Sequence, residues 1–217
     1  MADLQALTAA IEVGDRVTAA RLTHEAIAEG QPPQAILDAM TAAMAQVGVR
    51  FQREELYVPE MLIAARAMKE ATAVLEPLLV GAGIRPVATA VVGTVKGDLH
   101  DIGKNLVGMM LKGANIEVID LGTNVSPEAF AAAAQEHRAQ LVGISALLTT
   151  TLPGMRDVVT AIRNAGLSGT KVLIGGAPVT RAYARDIGAD GYAADAAAAV
   201  DVAKELLTND DAAATAN

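Results

Sequence analysis

The chain reads as an α + α/β protein, an N-terminal four-helix bundle followed by a doubly wound, five-stranded parallel sheet. Three observations predict it. From Leu4 to about Leu79 apolar residues recur every three or four positions, the helical period. Glycine and proline then punctuate residues 81–86. Beyond them the pattern changes to short β-branched runs separated by helical stretches, the alternation that builds parallel sheets covered on both faces.

Taken in order, breaks at Gly14 and Asp15, at residues 30–33 and around residues 52–59 divide the first half into helices at roughly 3–11, 15–29, 33–50 and 58–80. Pro59 suits the first turn of the last one. Ile36, Leu37, Met40, Met44 and Val47 form one apolar stripe; Met61, Leu62, Ala65, Met68, Thr72, Leu75 and Leu79 form another. In the second half strands are expected at 87–95, 117–120, 141–145, 171–174 and, more weakly, 191–193. Helices are expected at about 102–113, 126–137, 153–165, 179–187 and 195–207, the succession of a flavodoxin/Rossmann-like sheet. The expected division is residues 1–85, residues 86–208 and a disordered tail at 209–217, which holds only Ala, Asp, Thr and Asn.

Composition narrows the function. A formal net charge of −8 without basic clusters, and only two Phe, three Tyr and no Trp, argue against a nucleic-acid partner. Without cysteine there are no disulfides, no thiolate zinc sites, no iron–sulfur clusters and no thiol nucleophile, which leaves imidazole and carboxylate as metal ligands. The first residues lack a basic region before an apolar segment, and no apolar run is long enough to span a bilayer, so a cytoplasmic protein with no membrane partner is expected.

The densest chemistry lies in Gly97 to Asn105, between the first strand and its helix. Asp98 and His100 stand two apart, and Gly103 opens the helix. The loop can present an imidazole, orient it through a carboxylate and let a bulky ligand approach its backbone, which is the form of a metal-ligand loop. Two more segments, Ser145 to Thr151 and Gly175 to Pro178, follow the third and fourth strands, which are expected to neighbour the first at the switch point where such sheets bind ligands. Thr151 is a candidate donor to Asp98. Ser145 and Thr149 suit a narrow slot, and Gly175 and Gly176 a close backbone approach. Asp101 and Lys104 read as well as residues that favour the helix start or face solvent as they do as functional ones. His24 and His137 read as surface residues. The Ser/Thr run has no His and Asp at nucleophile spacing, and the Gly-x-Gly-x-x-Gly phosphate loop is absent.

These segments, with Gly48 to Phe51, Tyr57 to Lys69 and Val118 to Gly122, resemble the corrinoid proteins of methyltransferase systems and the cobalamin-binding module of methionine synthase. The resemblance covers about residues 30–207 and rests on the Asp-x-His-x-x-Gly signature behind a helical cap. It implies cobalamin as cofactor, cycling between methylcobalamin and cob(I)alamin, with His100 as the lower ligand to cobalt in place of the cofactor's own benzimidazole. Asp98 and Thr151 would complete a catalytic proton-relay triad. Gly97, Leu99 and Asp101 would contact the corrin. Gly103, Ser145, Leu147, Thr149, Gly175 and Gly176 would line the groove for the nucleotide tail, with Ala196 where the last helix meets it. Phe51 and Val58 would shield the upper cobalt face. Thr151 stands where serine is more familiar, Val58 where leucine is expected, and Leu37 where the methionine synthase version can carry glutamate.

The implied function is that of a methyl carrier, not an enzyme by itself. It would pass a methyl group from a donor-specific methyltransferase to an acceptor methyltransferase that serves folate or a thiol, with a reductive activation protein as a further partner. Methanol, methylamines, betaines and methoxylated aromatics stay open as donors. The small subunit of an adenosylcobalamin isomerase shares the histidine motif but relies on a barrel partner to cover the cobalt. A light-responsive cobalamin regulator would need a basic DNA-binding segment, and none precedes residue 85.

Overall fold

The computed structural model describes residues 3–214, with side chains to residue 208. The chain divides into two compact units, Met1–Pro86 with Gly113–Asn115, and Val87–Lys112 with Ile116–Asn217.

The first unit is all helical: α1 (Leu4–Glu12), α2 (Arg16–Ala28), α3 (Pro33–Gln52) and α4 (Val58–Gly81). Their starts follow from local chemistry. Asp3 accepts from the backbone N–H groups of Gln5 and Ala6, and Asp15 from that of Thr18, which satisfies donors that no helical turn can reach. Pro33 opens α3, where a missing N–H costs nothing, and Glu60 reaches back to the Tyr57 N–H at the start of α4. The apolar stripes meet inside: Leu7, Ile11, Ile36, Met40, Met44, Met61 and Leu75 are buried. Leu62 is an exception to the expected stripe and is 39% exposed.

The second unit alternates β1 (Ala88–Thr94), α5 (Ile102–Gly113), β2 (Ile116–Asp120), α6 (Pro127–Glu136), β3 (Leu141–Ser145), α7 (Leu152–Asn164), β4 (Lys171–Gly175), α8 (Arg181–Ile187), β5 (Gly191–Ala193) and α9 (Ala196–Ala214). The strands form one parallel sheet in the order β2-β1-β3-β4-β5. The direction of winding reverses between β1 and β3, which opens a crevice at the carboxyl ends of those two strands. Val91, Val142, Val172 and Ile174 from the strands pack with Phe130, Met155, Val158 and Ile162 from the helices.

One expectation is corrected at the C-terminus. Residues 209–214, expected to begin a disordered tail, continue α9 as helical backbone to Ala214. Asn209, Asp210 and Asp211 are weak helix formers, but extending a helix already nucleated costs far less than starting one, and Ala212 to Ala214 are the best helix formers. The remainder of that expected tail, residues 215–217, lies outside the described residues.

Gly93 shows how tightly β1 is covered. A Cβ there would lie 2.6 Å from Cζ of Phe130, which is fully buried and has no room to swing away. Gly93→Ala should therefore destabilise the fold by about 1–3 kcal/mol through overpacking. Urea unfolding followed by circular dichroism should show a lower midpoint with an unchanged slope, and Phe130→Leu in the same chain should recover part of the loss.

Candidate metal centre

β1 ends at Thr94, and its register places Thr94 opposite Ser145 of β3, which in turn pairs with Gly175 of β4. The three sequence segments with chemical content thus leave the sheet side by side. Small residues at these ends keep the crevice open, and a Cβ added at Gly176, whose φ is +132°, would run into the carbonyl oxygen of Ala146. The β3 and β4 loops meet here as bare backbone.

Asp98 is wholly buried, and both its carboxylate oxygens are engaged. Oδ1 accepts from the backbone N–H of His100 (3.1 Å) and faces Nδ1 of the His100 ring (2.7 Å). Oδ2 accepts from the backbone N–H groups of Leu147 (2.8 Å) and Leu148 (3.2 Å) and from the Thr151 hydroxyl (2.9 Å). Burial alone would raise the pKa of this carboxyl. The N–H groups of Leu147 and His100, the His100 ring and the Thr151 hydroxyl outweigh burial and hold it well below the usual carboxylate range.

An ionised carboxylate only accepts, so the ring proton sits on Nδ1 and the lone pair on Nε2. The His100 side chain is half exposed, and no described residue hydrogen-bonds Nε2. That leaves an imidazole nitrogen whose lone pair none of the described residues engages, the form a metal-ligand histidine takes.

Thr151 is the N-cap of α7, yet its hydroxyl does not cap the helix. Its Oγ1 lies 2.9 Å from both Asp98 Oδ2 and the Leu148 carbonyl, and with one proton it donates to the stronger acceptor, the carboxylate. Leu147 contributes its backbone N–H, and its side chain, 42% exposed, is one of four large apolar side chains exposed in these two loops and the start of α5, with Leu99, Ile102 and Leu148. Thr149, Asp101, Gly97 and Gly103 are exposed, and nothing occupies the position of a Cβ at Gly103. Ala196, by contrast, is buried at the first turn of α9. Phe51 and Val58 belong to the other unit, where Phe51 lies in the last turn of α3 and Val58 opens α4. His24 lies exposed within α2, and His137 is the C-cap of α6.

Lys104 corrects the solvent-facing reading. It is 4% exposed, and its Nζ bonds both carboxylate oxygens of Asp120 at 2.6 Å and Oδ1 of Asn105 at 2.7 Å. Asn105 in turn donates to Asp101. A lysine in the first turn of α5 is thereby tied to the end of β2. Thr94 and Asn124 were also silent in the sequence: the buried Thr94 hydroxyl donates to the carbonyl of His100, and the Asn124 side chain accepts from the Gly97 N–H. Gly122 and Asn124, two turn-forming residues just past β2, are the signal a turn-based reading had to work with, and both take a positive φ.

Family models described as B12 binding domain match residues 88–201 and, separately, residues 3–76. The fold and the histidine loop thus define a cobalamin-binding protein. A dimethylamine corrinoid protein of Methanosarcina acetivorans is 44% identical over 214 residues, covering 95% of this chain and 100% of its own. A corrinoid protein of Desulfitobacterium hafniense is 37% identical, covering 95% and 98%. Among solved structures, a cobalamin-binding protein of Desulfitobacterium hafniense superposes with a TM-score of 0.80 at 31% identity, covering 95% of this chain and 99% of that one. The methanol:cobalamin methyltransferase complex of Methanosarcina barkeri gives 0.84 at 27%, covering 94% and 80%. The chain belongs to the family of corrinoid proteins of methyltransferase systems, and its cofactor is cobalamin.

The residues fit that group. Among the described residues no cluster of three or more His, Asp or Glu exists to hold a bare ion, so a lone oriented imidazole suits a metal that arrives already chelated in a ring. The exposed Leu99, Ile102, Leu147 and Leu148 of the histidine loop, the start of α5 and the loop after β3 suit the apolar face of such a ring.

The Lys104–Asp120 pair yields a stability prediction. Asp120 is partly buried, which raises its pKa, but the Lys104 ammonium and the Gly122 N–H lower it further than burial raises it. A depressed folded value stabilises the protein above the ordinary aspartate pKa, and that contribution is lost as pH falls through the depressed value. Asp120→Asn should cost about 2 kcal/mol near neutral pH, where it leaves the buried ammonium short of its counter-charge. Thermal melts across the acid range should show wild type converging on the mutant as pH falls, and a constant gap would contradict the ion-pair account.

Proposed function

We propose that this protein is a methyl carrier that binds cobalamin with the cofactor's benzimidazole displaced and His100 in its place, and that it transfers a methyl group only in company with partner methyltransferases. The observation that carries the reading is the His100 ring, with its proton committed to Asp98 and its Nε2 free. When bound, the cofactor supplies a cobalt centre that accepts and releases a methyl group.

The chain's own part is to bind and orient. Asp98 holds the proton at Nδ1 and so keeps the lone pair on Nε2, while the N–H groups of Leu147 and Leu148 and the Thr151 hydroxyl keep Asp98 from rotating. The slot beside Ser145, Thr149, Gly175 and Gly176 is the proposed path of the nucleotide tail, with Gly103 at its rim and Ala196 at its far end. Gly97, Leu99 and Asp101 are the proposed corrin contacts. The helical unit takes the part of a cap in this reading, with Phe51 and Val58 as its contacts to the upper face.

The relatives named for dimethylamine favour a methylamine as the donor, which makes a methylamine-specific methyltransferase the first partner. Folate or a thiol is the proposed final acceptor, reached through a second methyltransferase, and a reductive activation protein restores any oxidised cofactor. Among the described residues no helix is long and apolar enough to cross a membrane, consistent with exchange among soluble partners.

Reconstitution with methylcobalamin tests the ligand. Wild type should give a spectrum distinct from that of the free base-on cofactor, and His100→Ala should shift it to the base-off form and weaken binding at least tenfold. A base-on spectrum in both proteins would remove His100 from the cobalt. Transfer to a thiol by the loaded protein alone should be negligible and should begin when cognate methyltransferases are added, whereas sustained turnover without them would make it an enzyme in its own right.

A further inference from the structure

The segment that carries His100 is held from two sides. One is the Asp98 carboxylate, anchored by the loop after β3. The other is the loop after β2. Asn124 there makes a two-point clasp: its side-chain Oδ1 accepts from the Gly97 N–H at 2.8 Å, and its own N–H donates to the Asp98 carbonyl at 3.0 Å. The loop is itself fixed to the sheet, because Thr94 donates to Gly122, Val125 donates back to Thr94, and Val95 and Val125 form a bridge.

Gly97 is the soft point that such a clasp would stiffen. It has a φ of +83° and no side chain to hold it there, and the peptide that follows it is tied within the loop by the Asp98 N–H, which donates to the Val95 carbonyl at 3.1 Å, so its other restraints come from neighbouring peptides. Turning it would swing the Asp98 carboxylate off the N–H groups of Leu147 and Leu148 and carry the His100 ring with it. The clasp grips the peptides on either side of the Gly97–Asp98 peptide, Lys96–Gly97 through the nitrogen of Gly97 and Asp98–Leu99 through the carbonyl of Asp98.

Asn124 also has the one conformation that lets it do both. Its φ is +56°, in the left-handed region where asparagine and aspartate are enriched and where most side chains are strained. The position asks for that backbone and for an acceptor reaching back to the loop. Asparagine and aspartate meet both demands, glycine only the first.

We infer that Asn124 is a positioning residue for His100: by holding the Gly97 N–H and the Asp98 carbonyl it fixes the height and direction of the imidazole, independently of the carboxylate that fixes its tautomer. This rests on the reading of His100 as the cobalt ligand.

The test uses the full chain loaded with cobalamin and reduced to the cobalt(II) state, whose electron paramagnetic resonance splits on an axial nitrogen. Isotopically labelled histidine distinguishes the protein's imidazole from benzimidazole. Wild type should show the labelled splitting and His100→Ala should lose it. Asn124→Gly, which keeps the backbone conformation and its N–H but removes the acceptor, should lower the ratio of histidine-bound to histidine-free cobalt about fivefold, the worth of one hydrogen bond. Asn124→Asp, which restores the acceptor, should recover it. Circular dichroism melts check folding, and should Asn124→Gly not fold, Asn124→Ser, whose hydroxyl is too short to reach, carries the same expectation. Wild-type splitting in a folded Asn124→Gly, or equal loss in Asn124→Gly and Asn124→Asp, would overturn the positioning role while His100→Ala upholds the ligand. Absence of labelled splitting in wild type would instead overturn the ligand reading, and the positioning role with it.

Discussion

A carboxylate removed from water is tolerable only when every lone pair has a donor, and around Asp98 that requirement organises the whole carboxyl edge of the sheet. Five donors converge on it, two from His100, two from the backbone after β3 and one from Thr151. To bring them there, β1 and β3 must be neighbours, the loop after β3 must turn back over the crevice, and α7 must begin at Thr151. The switch in winding direction meets the first condition; the register of Thr94 with Ser145 sets up the second. The histidine that faces outward is thus a by-product of an aspartate that faces inward, and its geometry inherits the rigidity of a fully satisfied buried charge.

This arrangement separates two duties that a single residue would perform poorly. The carboxylate decides where the proton of the ring resides, and hence which nitrogen is basic. The surrounding backbone decides where that nitrogen points. Lys104 adds a third restraint, because it pins the first turn of α5 to the end of β2 immediately beyond the histidine loop. On the proposed reading of His100 as a ligand, this is the kind of precision that a bond to a centre brought in from outside requires.

The helical and alternating halves were legible in the sequence because both are written in local periodicity, and each expected strand fell within a residue or two of its place. Asp98 and His100 were legible for a related reason: they stand two apart on one loop. Thr151 was legible only because its segment was recognised as a neighbour, since nothing in residues 145–151 alone points to a carboxylate some fifty residues earlier. What escaped was non-local and chemically ordinary. Lys104 looks like any lysine in a first helical turn until the fold brings Asp120 to it. Asn124 stands just beyond the stretch of β2 that drew notice, and its work is done through a backbone amide that no sequence pattern displays. The helix that runs on through Ala214 escaped because a stretch of Asn, Asp and Ala with no large apolar residue reads as a tail, while continuation of a helix needs no nucleation of its own.

The sheet that carries all this has two open sides. On one, β2 presents the exposed Glu117 and the partly exposed Asp120; on the other, β5 is only three residues long. A strand of another molecule approaching the first side meets acidic groups, and one approaching the second finds too short a template for pairing. Together with the chain's net charge of −8, this makes edge-to-edge aggregation unfavourable. A chain that carries exposed leucines and an isoleucine in its loops is thus protected from self-association at the place where parallel sheets are most vulnerable.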